Sequence, residues 1–144
     1  MNNEQDKQLL NKMHQNVEMA TDGIDMVYDH IENSNMRELL SKHRKSYASL
    51  KGKIERIISE RGFAPDDVPV MAKVSSTVVG TMKNLAGQGD RDYAKDIIKG
   101  ATSGVTTLTG HVHSYKGGDE KIVALANEII KCEEKNIEDI KAYL

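Results

Sequence analysis

The chain has 144 residues, a length typical of a single domain, and its 20 basic and 22 acidic side chains give a net charge of -2. Both signs are interspersed, which argues against the strongly basic face of a nucleic-acid-binding protein. Met1 is followed by a polar run, so we predict no secretory signal peptide. No apolar stretch approaches the roughly 20 residues of a membrane span. The single cysteine, Cys132, forms no internal disulfide, and we expect a cytoplasmic protein with neither nucleic acid nor a membrane as partner.

The first third of the chain predicts a helical hairpin. Apolar residues at alternating three- and four-residue steps indicate helix A over about residues 4–32, with every inward position apolar. This count places His14 and Glu18 on the solvated surface. The segment Asn33-Ser34-Asn35 suits a tight turn and helix capping, and helix B follows over about residues 36–61. Because this connection is short, A and B are antiparallel neighbours.

A connector follows helix B, which Gly62 is suited to terminate. Pro65 and Pro69 lie in one short segment after it. A further amphipathic stretch covers about residues 70–86. Its β-branched residues also suit a strand, but the spacing of its apolar residues favours a short helix. A helix of about 16 residues spans about 24 Å, so the connector is long enough to cross the length of a bundle.

The last third predicts a second hairpin. Asp90 is a good N-cap for helix C, over about residues 91–116, and Asp119 caps helix D, over about residues 119–143. Gly117 and Gly118 separate the two helices. The sequence therefore predicts an all-α fold for a single domain, residues 1–144. It is a four-helix bundle of two antiparallel hairpins joined by a long crossover that contains an extra short helix.

Few polar residues interrupt the inward positions. Helix B carries His43 and Tyr47 there, and helix D carries Glu133 with Asn136 beside it. If the crossover makes B and C parallel, then D runs antiparallel to B. Tyr47 precedes Arg61 by 14 residues and Glu133 follows Asp119 by 14 residues, which places both in one layer. Two interpretations stay open: the cluster fixes the register of the helices, or it contacts a ligand or metal.

Helix C contains small residues at four-residue spacing, from Gly100 to Gly104. Interior glycines weaken a helix by about 1 kcal/mol each relative to alanine, so a gain in packing is expected in return. The close approach is either to another helix of the same bundle or to a second copy. A homodimer through Gly100 and Gly104 is the partner hypothesis, since twofold assemblies are common.

The two hairpins, the long crossover and the helix D ending Glu133 to Leu144 resemble the ferritin-like superfamily, in particular its small bacterial members. The resemblance implies a di-iron centre made by one Glu from each of two helices and Glu-x-x-His from each of the other two. Here Glu133 suits a ligand position, but Asn136 stands where the histidine belongs and Leu40 precedes His43 by three residues. The resemblance therefore implies a bundle that has lost most of its metal ligands.

Two hypotheses for function follow. The first is a non-catalytic bundle that acts by self-association or by binding a partner, with no catalytic residue, no metal site and no cofactor. The second is a metal- or small-molecule-binding protein with a partial site at His43, Tyr47 and Glu133, together with Asn136; iron or manganese would be its metal. A bacterial stress protein that sequesters a molecule inside the bundle is a third reading, which the sequence does not separate from these two.

Overall fold

The computed structural model describes residues 3–63 and 88–144, and all the regular structure in these two ranges is helical. Four long helices occur: α1 at Asn3–Tyr28, α2 at Ser34–Glu60, α3 at Asp90–Ser114 and α4 at Glu120–Ile140. A short 3-10 helix, Lys141–Tyr143, ends the chain. The prediction of an all-α fold with four main helices is confirmed for this part of the chain. The connector helix predicted at about residues 70–86 lies outside the described residues.

Ion pairs define the first hairpin. The Arg44 guanidinium lies 2.7 Å from an oxygen of Asp25 near the turn. Lys51 pairs with Glu18 at 2.6 Å, two helical turns further away from the connection between the helices. Because the residue numbers rise on α2 as they fall on α1, the two helices are antiparallel, as predicted.

Contacts along the other helix pairs complete the bundle. α4 runs antiparallel to α2, since Lys53 pairs with Glu128 at 2.6 Å and His43 pairs with Asp139 at 3.1 Å. α3 packs against both α1 and α4. The Asn16 side chain of α1 donates to the backbone carbonyl of Gly104 in α3 at 2.9 Å.

Contacts at the two ends of α3 give its direction. Its first residue, Asp90, contacts the turn that follows α1, whereas Tyr115, directly after α3, contacts Asp6 near the start of α1. α3 is therefore antiparallel to α1 and runs in the same direction as α2. The end of α2 and the start of α3 lie at opposite ends of the bundle.

The core between the helices is aliphatic and contains methionine. Its largest fully buried apolar side chains come from all four helices: Leu10, Met13, Ile24, Met36, Leu40, Ile54, Leu108, Ile122, Ile129 and Ile140. These residues recur at the helical spacing that the sequence shows, because each helix buries one face. Within the two described ranges, no helix is long and apolar enough to cross a membrane.

The first turn differs from the prediction in detail. α1 ends at Tyr28, about four residues earlier than expected, and Ile31 in the following turn is buried. The Asp90 carboxylate accepts hydrogen bonds from the backbone N–H groups of Glu32 and Asn33, at 2.9 and 2.8 Å. The prediction of Asp90 as N-cap of α3 is therefore wrong, because its carboxylate is directed to the turn and Gly89 occupies the cap position.

Other predicted caps are confirmed. The Asp119 carboxylate accepts from the backbone N–H groups of Lys121 and Ile122 at the start of α4. Gly62 follows α2 with a φ of 68°, a conformation that favours glycine. Its N–H donates to the carbonyl of Ser59, which satisfies one of the last carbonyl groups of the helix.

A polar network joins all four helices at the end of the bundle opposite the α1–α2 turn. The Tyr115 hydroxyl donates to the buried carboxylate of Asp6 and accepts from the backbone N–H of Asp119, the latter at 3.0 Å. Asp119 in turn binds the Arg61 guanidinium through two contacts, of 2.8 and 3.2 Å. Position 117 has room for glycine only, because a Cβ atom there would collide with the Asp6 carboxylate and with the Tyr115 ring.

The Tyr115→Phe substitution tests this network. It removes the hydroxyl and leaves the Asp6 carboxylate, only 2% exposed, without that donor. We expect the free energy of unfolding to fall by about 1–3 kcal/mol, the usual cost of leaving a buried polar group unpaired. Urea denaturation measures it, with Tyr143→Phe in the 3-10 helix as the matched control. Equal stability of the two variants would contradict a structural role for the hydroxyl.

Candidate functional site

A cavity of about 420 Å³ lies in the middle of the bundle, and residues of all four helices line it. The exposed residues around it, such as Met19 and Ser103, belong to α1 and α3, so the mouth opens between these helices. The residues from α2 and α4 are all buried and form the floor. The floor residues are His43, Tyr47, Glu133, Asn136 and Ile140. A cavity of this size is within the range of small-molecule sites in proteins.

The carboxyl group of Glu133 is the most unusual feature of the floor. Its side chain is 1% exposed, and its Oε1 atom has no hydrogen-bond partner in the described part of the chain. Burial raises the pKa of Glu133 from 4.5 to about 8. The carboxyl group is therefore mostly protonated at neutral pH, since a charged carboxylate is costly to bury unpaired.

Gly104 of α3 makes room for this carboxyl group. A Cβ atom at position 104 would lie 2.7 Å from Glu133 Oε2 and 3.2 Å from Asn16 Nδ2. Asn16 binds the carbonyl of Gly104 through this same Nδ2 atom, and its Oδ1 atom has no partner within residues 3–63 and 88–144. Glycine at 104 thus allows side chains of α1 and α4 to converge on the α3 backbone.

Tyr47 and Asn136 form the neighbouring part of the floor. Their side chains are hydrogen-bonded to each other, and burial raises the pKa of Tyr47 well above its ordinary value, so its hydroxyl stays neutral. The Asn136 amide also donates to the Cys132 sulfur at 3.7 Å. Burial raises the pKa of this thiol, which disfavours the reactive thiolate and agrees with an inert, half-buried cysteine.

His43 is held by Asp139. Its Nε2 atom lies 3.1 Å from Asp139 Oδ2, while burial lowers the pKa of the imidazole more than this partner raises it. The ring is therefore neutral at pH 7. A neutral imidazole carries one proton, and the bond to a carboxylate places that proton on Nε2. Nδ1 is left as an acceptor, with no partner among the described residues.

Charges of both signs surround the mouth. Lys12 of α1 and Asp96, Lys99 and His111 of α3 line this part of the cavity. The exposed Met19 also lies at the mouth. Among the described residues, Met19 and Leu144 are the large apolar residues that are exposed. The entrance therefore combines an apolar side chain with a charged rim.

The structure brings the four predicted site residues together. His43, Tyr47, Glu133 and Asn136 all line the one cavity; their role in ligand binding stays a prediction. The inward count on α2 and α4 found them, because these two helices bury the face that their helical spacing marks. Gly104 and Asn16 were not predicted as site residues. The sequence signal for Gly104 was its four-residue spacing from Gly100, which predicted a close approach either to another helix or to a second copy. It did not identify Glu133 and Asn16 as the side chains that lie there.

The interpretation of α1 is corrected at two positions. His14 is fully buried rather than solvated, with Nε2 4.0 Å from Glu18 Oε1, and Asp6 is buried as well. α1 buries a broader face than its apolar stripe because α2, α3 and α4 all pack against it. The inward face of this helix is thus not entirely apolar.

Two expectations about partners and metals bear on the same region. Gly100 is exposed with open space around its Cβ position, whereas Gly104 faces Glu133. The homodimer through these two glycines stays a prediction, which light scattering tests. Within residues 3–63 and 88–144, no group of three or more His, Cys, Asp or Glu side chains could hold a metal ion.

Comparisons of the chain with models of known families, with curated proteins and with solved structures gave no match.

Alanine at position 104 should disturb the site. In Gly104→Ala the new Cβ would lie 2.7 Å from Glu133 Oε2, so the carboxyl group at the end of this side chain has to shift away from α3. Gly110→Ala is the matched control on the same helix, with open space at its Cβ, and it should gain up to about 1 kcal/mol in the free energy of unfolding. We expect Gly104→Ala to be less stable than Gly110→Ala by about 1 kcal/mol in urea denaturation, because the flexible side chain relieves part of the overlap. Equal gains in the two variants would refute the close contact.

Glu133 should make stability depend on pH. Because its pKa is raised from 4.5 to about 8 in the folded state, the folded protein binds more protons than the unfolded chain between these values. The contribution of this group to the free energy of unfolding is fully present below about pH 4.5 and is lost as the pH rises through about 8. We expect Glu133→Gln to lose less stability than the wild type between pH 5 and pH 9, by on the order of a few kcal/mol. Parallel pH profiles in urea denaturation would contradict the raised pKa.

Proposed function

We propose that this protein binds a small, largely apolar molecule that carries one polar group, in the cavity between α1 and α3. The observation that carries this proposal is an open cavity of about 420 Å³ whose floor holds the buried, unpartnered Oε1 atom of Glu133. Buried polar atoms in folded proteins are nearly always hydrogen-bonded. A rotation of the Glu133 side chain toward the cavity that it lines would let a bound molecule supply the missing partner.

The lining supports a ligand that is mostly apolar. Aliphatic side chains from three helices face the cavity, among them Ile24 of α1, Leu108 of α3 and Ile140 of α4. Polar side chains lie at the two ends of the cavity, in the charged rim at the mouth and around Glu133 and His43 at the floor. A mainly apolar pocket with a few convergent polar groups is the usual arrangement of a small-molecule site, in which the apolar walls contribute affinity and the polar groups fix orientation.

The proposal develops the small-molecule alternative that the sequence raised for His43, Tyr47 and Glu133. The ferritin-like relationship is part of it, supported by the two antiparallel hairpins and by the parallel direction of α2 and α3. At neutral pH burial keeps the Glu133 carboxyl mostly protonated and the Tyr47 phenol neutral, so both side chains are uncharged at the proposed binding site.

Binding of ethylbenzene, a small apolar probe, tests the pocket. We expect it to shift the amide NMR signals of α1 and α3 residues that line the cavity. Gly23→Leu should weaken binding at least about tenfold, because Gly23 lines the cavity with open space at its Cβ and the loss of about 1.4 kcal/mol corresponds to that factor. Gly52→Leu is the control, since Gly52 is equally open but lies on α2 away from the cavity.

The results separate clearly. Weaker binding by Gly23→Leu and unchanged binding by Gly52→Leu support the pocket. Unshifted signals at the aqueous solubility limit of ethylbenzene, or equal affinities of the two variants, overturn the proposed function.

A further inference from the structure

The mouth of the cavity is elongated along the bundle axis. The lining residues of α1 extend from Lys12 to Ile24, and those of α3 extend from Asp96 to His111. At about 1.5 Å per residue, these ranges span about 18 and about 22 Å. Because α1 and α3 are antiparallel, Lys12 and His111 lie at one end of the mouth, and Ile24 and Asp96 lie at the other. A mouth of this shape suits an extended chain better than a compact ring system.

Side chains with hydrogen-bond donors are concentrated at the Lys12 end. Lys12 and Gln15 lie three residues apart and share one face of α1, and both line the cavity. Thr107 and His111 lie four residues apart on α3 and line it as well. Lys12 and Thr107 are exposed, and the other two are half-buried. This end therefore presents an ammonium, an amide, a hydroxyl and an imidazole to a molecule that enters from solvent.

The net charge of the Lys12 end is positive. Burial lowers the pKa of His111, and the nearby Lys12 ammonium lowers it further, so the imidazole is neutral at pH 7. In the described part of the chain, no carboxylate pairs with Lys12. The Glu133 carboxyl lies beside Gly104 and adds no negative charge at neutral pH, because burial raises its pKa to about 8. An ammonium group without a counter-ion is thus left at this end.

The rest of the mouth differs in charge from the Lys12 end. Asp96 and Lys99 line the opposite end, and their charges offset each other because they lie three residues apart on one helix. Apolar side chains such as Met19, Ala101 and Ile97 line the stretch between Lys12 and Asp96. A ligand that lies along the mouth therefore meets a cationic end, an apolar middle and an end with no net charge.

We propose that the ligand is a linear aliphatic carboxylate, with its carboxylate at the Lys12 end of the mouth and its chain directed toward Ile97. A carboxylate only accepts hydrogen bonds, which matches the ammonium of Lys12 and the donors beside it. An amine of the same shape would be repelled by Lys12, and a neutral alcohol would gain nothing from its charge. This inference rests on the proposed function and specifies the charge, shape and orientation of the ligand.

NMR titrations at pH 7 with three ligands that share an octyl chain test the inference: octanoate, octylamine and 1-octanol. We expect octanoate to bind at least about fivefold more tightly than octylamine at low salt. This factor corresponds to about 1 kcal/mol, the upper range for an exposed ion pair. The difference should shrink at least about twofold in 0.5 M sodium chloride, because salt screens exposed charges.

Lys12→Glu reverses the charge at the proposed position of the carboxylate. It should weaken the binding of octanoate and strengthen that of octylamine, each at least about fivefold, while 1-octanol binds as before. Lys99→Glu is the matched control, since Lys99 is an exposed lysine that lines the other end of the mouth. It should change the affinity for octanoate by less than about twofold.

Intermolecular nuclear Overhauser effects measure the orientation independently. The methylene group next to the carboxylate of octanoate should show contacts with the His111 ring. The terminal methyl group should show contacts with the Ile97 side chain. The reverse pattern would contradict the proposed orientation.

The outcomes distinguish this inference from the proposed function. Binding of 1-octanol and ethylbenzene with no preference for octanoate over octylamine overturns the carboxylate inference and leaves the pocket in place. Tighter binding of octylamine than of octanoate refutes the inference as well, because it assigns the opposite charge to the ligand. Equal effects of Lys12→Glu and Lys99→Glu refute the position of the carboxylate. Failure of the three octyl ligands and of ethylbenzene overturns both proposals.

Discussion

Burial of the Glu133 carboxyl is the constraint on which the middle of the bundle depends. A carboxyl group that is 1% exposed needs space and cannot share it with a side chain at Gly104 of α3. Asn16 of α1 then binds the carbonyl of the same glycine. The relative positions of α1, α3 and α4 are therefore linked at this level, and each of the three helices contributes one element of the contact.

Polar contacts at the two ends of the bundle fix the register that this arrangement requires. Asp90 holds the α1–α2 turn at one end, and Tyr115 with Asp119 joins all four helices at the other. Such directional contacts matter because aliphatic packing alone tolerates sliding and rearrangement of helices. With both ends fixed, the polar residues of α2 and α4 meet in the middle of the bundle.

The cavity has a cost to stability and a proposed use. An open space in a core forgoes packing, and unpartnered acceptors forgo hydrogen bonds. Natural proteins depart from optimal packing mainly at functional sites, where the departure serves binding or catalysis. Both departures coincide at Glu133, and this coincidence is the reason that binding is proposed there.

Periodicity along the chain determined the four helices, the antiparallel hairpins and the inward positions of His43, Tyr47, Glu133 and Asn136, because burial on a helix repeats every three to four residues. It did not determine the burial of Asp6 and His14, which depends on how many neighbours pack against α1. The contact of Asp90 with the first turn, the convergence on Gly104 and the cavity itself were also decided by the tertiary structure. The Asp90–Glu32 and Asn16–Gly104 contacts join residues 58 and 88 positions apart, and no local pattern encodes the distance between two helices.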